Sequence, residues 1–230
     1  MISIENLTFG YDASSPIIQS LDLNLESGKV HGIIGLNGSG KTTMLRLLNK
    51  EMEVDEGTIS LGEGVKLGKD SVLLETESFF YSKMTGEEYL GFFKKQNLDF
   101  NIEEYNQLFH LPLKKLVENY STGMKKKLAF MAALSREKPV LMLDEPFNGL
   151  DLESNLHMKK IIKHLSEEEG RTILVTSHIL ESLTSMCDQI HWLWEGKIHH
   201  TFSPENYGEI EAKVSEKTDE QHASLFRGKN

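Results

Sequence analysis

The segment Gly35–Thr42 constrains the fold of this chain more than any other part of the sequence. It reads Gly-Leu-Asn-Gly-Ser-Gly-Lys-Thr and lies between an apolar run, Val30–Ile34, and a helical pattern at Met44–Leu48. In a strand–loop–helix unit of this kind, the glycines let consecutive backbone N–H groups turn inward, with the positive end of the helix dipole behind them. The segment is therefore predicted to be a phosphate-binding loop that follows a buried strand.

The side chains of this loop match the chemistry of a nucleotide site. Lys41 is expected to reach the β- and γ-phosphates, and the Thr42 hydroxyl is expected to ligate Mg²⁺. The other loop residues predicted to contact the nucleotide are Gly35, Asn37, Gly38, Ser39, Gly40 and Thr43. A nucleoside triphosphate with its magnesium ion is the expected ligand.

Length, charge and cysteine content narrow the class of protein further. A chain of 230 residues fits one domain with an inserted lobe, or two small domains. The net charge of −10 argues against general nucleic-acid binding, which requires a basic surface. Cys187 is the single cysteine, so the reducing cytosol is the expected compartment. The first residues lack the pattern of a leader and no apolar run could span a membrane, so any membrane crossing is expected from another chain.

Strand and helix patterns predict an α/β fold. Two alternating segments near the N-terminus, Ile2–Phe9 and Ile17–Leu25, predict a small antiparallel sheet ahead of the phosphate loop. Continuous apolar runs at Val140–Leu143 and Thr172–Thr176 predict buried strands, and a helix is predicted between them at Leu152–Glu168. This alternation indicates a mostly parallel core sheet with helices on both faces.

An inserted helical lobe is predicted at about residues 78–136. The segment Phe79–Phe109 holds nine of the chain's aromatic residues, and patterns at Thr85–Glu88 and Asn101–Glu104 indicate helix starts with capping boxes. Beyond Ser203 the sequence turns polar. The predicted division is therefore one domain at residues 1–202, which contains the lobe, and a polar tail at residues 203–230.

Three polar side chains follow the two predicted core strands. Asp144 and Glu145 end one strand and His178 follows the other, at the carboxyl edge where open α/β sheets bind their ligands. An isolated acidic pair would more simply cap the next turn. Beside a phosphate loop, Asp144 is expected to hold Mg²⁺ and Glu145 to orient or deprotonate the water that attacks the γ-phosphate. His178 is expected to donate a hydrogen bond to that phosphate.

A second anion site is suggested by the segment Asn119–Met124, which precedes a helix predicted at Lys125–Leu134. Ser121 offers a hydroxyl and Gly123 an unobstructed amide at the helix N-terminus, although the same pattern taken alone is an ordinary N-cap. The lysine run Lys125–Lys127 is interpreted as a solvated helix face rather than a binding patch.

The order and spacing of these motifs resemble the ATP-binding subunit of ABC transporters over roughly residues 1–200. Among the subfamilies, the sequence resembles bacterial stand-alone ATPase subunits of exporters. The corresponding motifs are the Walker A loop at Gly35–Thr42, the Walker B strand with its catalytic glutamate at Leu141–Glu145, the D-loop at Asn148–Asp151 and the switch histidine at His178. Tyr11 resembles the aromatic residue that stacks on adenine in this family, because it lies ahead of the phosphate loop; a packed residue at the edge of a sheet is the alternative. The resemblance implies a P-loop NTPase fold and adds Tyr11 and Asp151 to the expected nucleotide contacts.

Two motifs depart from the family pattern. The family signature Leu-Ser-Gly-Gly-Gln reads Tyr-Ser-Thr-Gly-Met at residues 120–124, which keeps Ser121 and Gly123, the residues that contact the γ-phosphate in the family. The glutamine of the Q-loop is absent. A gapless count back from Thr85 places Thr76 at its position, so Thr76 is expected beside the metal.

The resemblance implies an ATPase that binds ATP and Mg²⁺ and drives transport, with export as the expected direction. It also implies pairing with a second ATPase subunit, which is expected to be an identical copy. It also implies one or more transmembrane permease subunits as partners, no nucleic-acid partner, and a cytoplasmic location on the inner face of the cell membrane, reached only through the permease. Two alternatives stay open: an ABC ATPase without a transport role, and an ATP-gated switch with little turnover. Turnover measured on the isolated chain separates the switch from the enzyme.

Overall fold

The computed structural model describes residues 1–12, 14–62, 65–94 and 100–227, except for the side chains of residues 94 and 220–227. Its strands are β1 Ile2–Phe9, β2 Ile18–Leu25, β3 Val30–Ile34, β4 Glu56–Leu61, β5 Ser71–Leu74, β6 Val140–Asp144, β7 Thr172–Ser177, β8 Gln189–Trp194 and β9 Lys197–Phe202. Its α-helices are α1 Lys41–Leu48, α2 Gly86–Lys94, α3 Ile102–Phe109, α4 Thr122–Leu134, α5 Leu152–Glu167, α6 Leu180–Thr184 and α7 Ile210–Arg227. Short 3₁₀ helices occupy Val117–Asn119 and Pro204–Glu209.

The strands form two sheets, which confirm the predicted α/β fold. An antiparallel sheet has the order β2-β1-β4, and a six-stranded sheet has the order β5-β6-β7-β3-β8-β9. In the larger sheet all neighbours are parallel except β8 and β9, which form an antiparallel hairpin. The turn of this hairpin contains Glu195 and Gly196, both with positive φ, as in a type I′ turn.

The register of the parallel strands brings three functional segments to one edge. The strand β3 runs into the phosphate loop, and it pairs with β7, which in turn pairs with β6. Asp144 at the end of β6 lies opposite Thr176, and Ile34 at the end of β3 lies opposite Ser177. The loops that follow β3, β6 and β7 therefore emerge side by side.

Helices α2, α3 and α4 lie between β5 and β6 in the chain, where the lobe was predicted. The Thr85 capping box is present, because the Thr85 amide donates to Glu88 at 2.8 Å and the Glu88 amide donates to the Thr85 hydroxyl at 3.2 Å. Helix α4 begins at Thr122, three residues earlier than predicted, since the Ser121 hydroxyl accepts from the Met124 amide at 3.2 Å.

Two apolar clusters stabilise the chain. One lies among the parallel sheet, α4 and α5 and includes Phe109, Phe130 and Ile162; the other joins the antiparallel sheet to α1 and includes Leu21 and Met44. Both clusters support strands or helices that flank the phosphate loop, so the loop has a rigid base. None of the described helices is long and apolar enough to cross a membrane.

Candidate nucleotide site

The phosphate loop is folded around the Lys41 ammonium group. Lys41 Nζ donates to the carbonyl oxygen of Gly35 at 2.7 Å and to that of Leu36 at 3.2 Å. Gly40, which precedes α1, has a φ of 103°, a backbone conformation that residues with a Cβ rarely adopt. The N-terminus of α1 therefore faces the space in front of the loop, which is the geometry of a helix-terminal phosphate site.

This space is an open cavity of about 430 Å³. Residues of the phosphate loop and of the first turn of α1 line one side of it. The residues that line it from other segments include Thr76, Glu145, Asn148 and His178. The structure thus brings the predicted loop, the catalytic carboxylate, the switch histidine and the Q-loop position to one cavity.

Asp144 is buried and connects three hydroxyl groups. Its Oδ2 accepts from Thr42 Oγ1 at 2.7 Å and from Thr76 Oγ1 at 2.8 Å, and its Oδ1 accepts from Thr176 Oγ1 at 2.6 Å. Hard oxygen donors of this kind suit Mg²⁺, which binds proteins through one or two carboxylates together with substrate phosphates. Within the described part of the chain no group of three His, Cys, Asp or Glu side chains could hold a metal alone. The residues present fit a magnesium ion, whose coordination a bound nucleotide would complete.

Glu145 combines a strained backbone with an incompletely bonded carboxylate. Its φ is 48°, in the left-handed region that glutamate rarely adopts, and strain of this kind costs on the order of 1–3 kcal/mol. His178 Nδ1 lies 3.0 Å from Oε2, and Asn148 Nδ2 donates to the same oxygen at 3.3 Å. The other oxygen, Oε1, is buried, makes no hydrogen bond, and lies 3.5 Å from Lys41 Nζ. One carboxylate oxygen therefore remains able to accept a proton.

The signature residues do not line the cavity of their own chain. Ser121 caps α4, and Gly123 packs so closely on the D-loop that a Cβ there would lie 2.9 Å from the Gly149 carbonyl oxygen. Asp151 caps α5 by accepting from the Ser154 amide at 2.8 Å, and this bond lowers the pKa of the Asp151 carboxyl.

Tyr11 also lies outside the cavity lining and is 61% exposed. Its ring packs edge-on against Phe9, with 5.3 Å between the ring centroids. Hydrogen bonds from the Arg46 guanidinium to Glu75 and to Tyr11 raise the pKa of Arg46, the larger effect coming from Glu75. Tyr11 thus has an accessible face and a polar contact to the helix that follows the phosphate loop.

Sequence patterns missed three residues of this site. Thr176 donates to Asp144 and also accepts from the Glu145 amide at 2.9 Å, and Asn148 bonds the Glu145 carboxylate. Lys126 Nζ donates to the Glu145 carbonyl oxygen at 2.9 Å. The interpretation of Lys125–Lys127 as a solvated face was wrong for Lys126, and also for Lys127, whose Nζ donates to Ser154 Oγ at 3.2 Å. Thr176 could have been found as a polar residue near the carboxyl end of a buried strand.

The fold and this cavity together define an ATP-binding domain of the phosphate-loop class. Residues 18–148 match the family described as ABC transporter. The chain belongs to the ABC transporter family, whose ATP-binding domains hydrolyse ATP.

Individual relatives agree with this assignment. The chain is 34% identical over 211 residues to the "Bacitracin transport ATP-binding protein BcrA" of Bacillus licheniformis, a match that covers 86% of this chain and 68% of the relative. It is 28% identical over 223 residues to the "ABC transporter ATP-binding protein YtrB" of Bacillus subtilis (strain 168), covering 93% and 76%.

A solved structure shares the fold. It is described as a dimeric post-hydrolysis state of the ATP-binding cassette MJ0796 bound to ADP and Pi, and it aligns with a TM-score of 0.73 at 21% identity. The alignment covers 89% of this chain and 99% of that one.

Proposed function

We propose that this chain powers transport through a separate membrane-spanning subunit, by ATP-driven closing of two ATPase subunits. The observation that carries the proposal is the Glu145 carboxylate, which is held by His178 and Asn148 on one oxygen, while its other oxygen makes no hydrogen bond and lies 3.5 Å from Lys41 Nζ. A buried carboxylate oxygen that makes no hydrogen bond and lies at a phosphate loop is suited to act as the general base for hydrolysis.

In the proposed reaction the side chains of the cavity bind the phosphates and position a water molecule. Lys41 holds the β- and γ-phosphates, and Thr42 and Asp144, with Thr76 beside them, hold a magnesium ion that would neutralise phosphate charge. Glu145 Oε1 accepts a proton from water as the water oxygen bonds to the γ-phosphorus. The bond from that phosphorus to the bridging oxygen breaks, which leaves ADP and phosphate, and His178 orients Glu145 and the γ-phosphate.

Closure of a dimer gives the signature residues a role that they lack in a single chain. Ser121 and Gly123 lie outside their own cavity lining, so in this proposal they contact the nucleotide bound by a second copy. Two copies related by a twofold axis would complete each other's sites in this way. The solved cassette described as dimeric supports this arrangement.

Exposed aromatic rings and the relatives' names support a transport role. Phe79, Tyr81 and Phe92 are 74%, 57% and 55% exposed, and they form the surface that we assign to the membrane subunit. The relative named as a bacitracin transport protein supports translocation of a compound across a membrane. We infer the outward direction and the location on the inner face of the membrane from the resemblance to exporter subunits.

The solution mass of a Glu145→Gln chain tests the closing step, because blocked hydrolysis traps any closed dimer. We expect a monomer without nucleotide and a doubled mass with ATP and Mg²⁺, while ADP leaves the chain monomeric. The matched control is Glu145→Gln combined with Lys41→Ala, which should stay monomeric because the phosphate loop no longer holds ATP. A Glu145→Gln chain that stays monomeric at saturating ATP would contradict closure by two copies of this chain.

A further inference from the structure

Lys126 reaches from helix α4 to the main chain of the catalytic turn. Its Nζ donates to the Glu145 carbonyl oxygen at 2.9 Å, across 19 residues of sequence. Burial lowers the pKa of Lys126, and the nearby carboxylates of Glu145 and Asp144 oppose that effect. By contrast, the neighbouring Lys125 side chain makes no hydrogen bond or ion pair with any residue that the structure describes. The Lys126 contact is therefore specific to one position of the lysine run.

The Glu145 main chain needs such a contact, because its conformation is unfavourable. Its φ of 48° lies in the left-handed region, and the residue precedes Pro146, which favours an extended conformation at the position before it. A glycine would remove the strain in φ, but it would also remove the carboxylate. A strained conformation persists only where surrounding groups hold it.

Side chains form hydrogen bonds with both the amide and the carbonyl oxygen of Glu145. The Glu145 amide donates to Thr176 Oγ1 at 2.9 Å, and the carbonyl oxygen accepts from Lys126 at 2.9 Å. The Asn148 amide is a weaker second donor to that oxygen, at 3.4 Å. Thr176 belongs to the core sheet, whereas Lys126 belongs to the helical lobe. The Lys126 contact therefore joins the catalytic turn to helix α4.

We propose that Lys126 is a positioning residue that fixes the Glu145 turn for hydrolysis and makes this placement depend on the position of helix α4. The inference rests on the proposed function, because α4 is also the helix that Ser121 caps and that contains Gly123 in its first turn. Lys126 follows Ser121 by five residues, roughly 7.5 Å along the helix axis. A nucleotide bound by the partner copy and contacted by Ser121 therefore acts on Glu145 of this chain through one rigid helix.

The test compares Lys126→Met with Lys126→Arg and Lys125→Met in the full-length chain. Methionine keeps the length of the side chain and removes its charge and its donors. For Lys126→Met we expect kcat for ATP hydrolysis to fall by about 10-fold or more, with KM for ATP within about twofold of wild type. Lys126→Arg should keep at least about a third of the wild-type kcat, and Lys125→Met should match wild type. A Lys126→Met chain with wild-type kcat, or with a loss in KM alone, overturns the proposal.

Hydrogen exchange separates this inference from the proposed function, since it needs no turnover. In Lys126→Met, amides of residues 143–150 should exchange faster than in wild type and in Lys125→Met, while the strand Thr172–Ser177 stays protected. Unchanged exchange in residues 143–150 overturns the positioning role, whatever the activity. If exchange rises but the wild-type chain hydrolyses no ATP, the positioning contact stands and the proposed function fails.

A purely structural role for Lys126 predicts a different result in the double variant. If Lys126 acts through Glu145, adding Lys126→Met to Glu145→Gln should lower the residual hydrolysis by less than about twofold. If Lys126 only stabilises the fold, its effect should be the same in both backgrounds and should be accompanied by a lower unfolding midpoint. That second pattern contradicts the proposal.

Discussion

Two polar clusters lie along the six-stranded sheet and differ in how completely they are hydrogen-bonded. At the carboxyl edge, Glu145 keeps one buried oxygen without a hydrogen bond. Within the sheet, His31 of β3 and His191 of β8 are 0% and 1% exposed and bond each other, with 3.2 Å between His31 Nδ1 and His191 Nε2. Glu145 of the first cluster lines a cavity, whereas both rings of the second cluster are buried.

The hydrogen bonds of the histidine pair form a continuous series from the Glu26 carbonyl oxygen to the Thr201 hydroxyl. His31 Nε2 lies 2.9 Å from the Glu26 carbonyl oxygen, which can only accept, so His31 carries its proton on Nε2. His31 Nδ1 then accepts from His191 Nε2, and His191 Nδ1 accepts from the Thr201 hydroxyl at 2.9 Å. Every ring nitrogen has a partner when both rings are neutral. The fully hydrogen-bonded histidine pair therefore supports stability, whereas the incompletely bonded Glu145 cluster retains a group for chemistry.

The largest expected effect is the loss of hydrolysis on substitution of the unsaturated cluster. We expect Glu145→Gln to lower kcat by about 10³-fold, because the amide cannot accept the proton of the attacking water. Its free energy of unfolding in urea should stay within about 1 kcal/mol of wild type, since a neutral amide costs less to bury than a carboxylate and this offsets the lost ion pairs with Lys41 and His178. A Glu145→Gln chain that retains turnover, or that unfolds with a large loss of stability, would contradict the assignment of Glu145 to hydrolysis rather than to stability.

A smaller effect, on stability rather than activity, is expected from acidification. Burial lowers the pKa of His191 to about 3 and also lowers that of His31, with the neighbouring His31 adding to the effect on His191. Below about pH 6.5 the two histidines bind protons in the unfolded chain but stay neutral in the folded chain. The free energy of unfolding therefore falls as the pH drops from 6.5 toward 3. For His191 alone the loss between pH 7.5 and pH 5 should be about 2 kcal/mol.

Urea unfolding of a His191→Gln variant measures this contribution. Over the same pH interval, the variant should lose about 2 kcal/mol less than wild type, although it is less stable at pH 7.5. The exposed His164 of α5 provides the control, because His164→Gln should keep the wild-type pH dependence. Equal pH dependence in all three chains would show that the buried pair is not the acid-sensitive element.

Residue patterns in the sequence predicted most of the fold and part of the nucleotide site. The phosphate loop and the Thr85 capping box depend on local spacing, which a single sequence displays directly. The left-handed backbone of Glu145 and the contact from Lys126 depend on groups distant in sequence, so no local pattern could indicate them. The pairing of His31 with His191 requires the parallel register of β3 and β8. The hairpin at Glu195 was missed because its left-handed first residue is a glutamate rather than the usual asparagine or aspartate.

A mixture of two inactive variants tests whether each nucleotide site is completed by a second copy of this chain. Lys41→Ala disables the phosphate loop, and Ser121→Ala disables the signature. If the signature acts on the partner's nucleotide, each mixed dimer has one intact site, and an equal mixture should recover about a quarter of the wild-type hydrolysis rate. A mixture no more active than the average of the two separate variants would contradict completion by the partner.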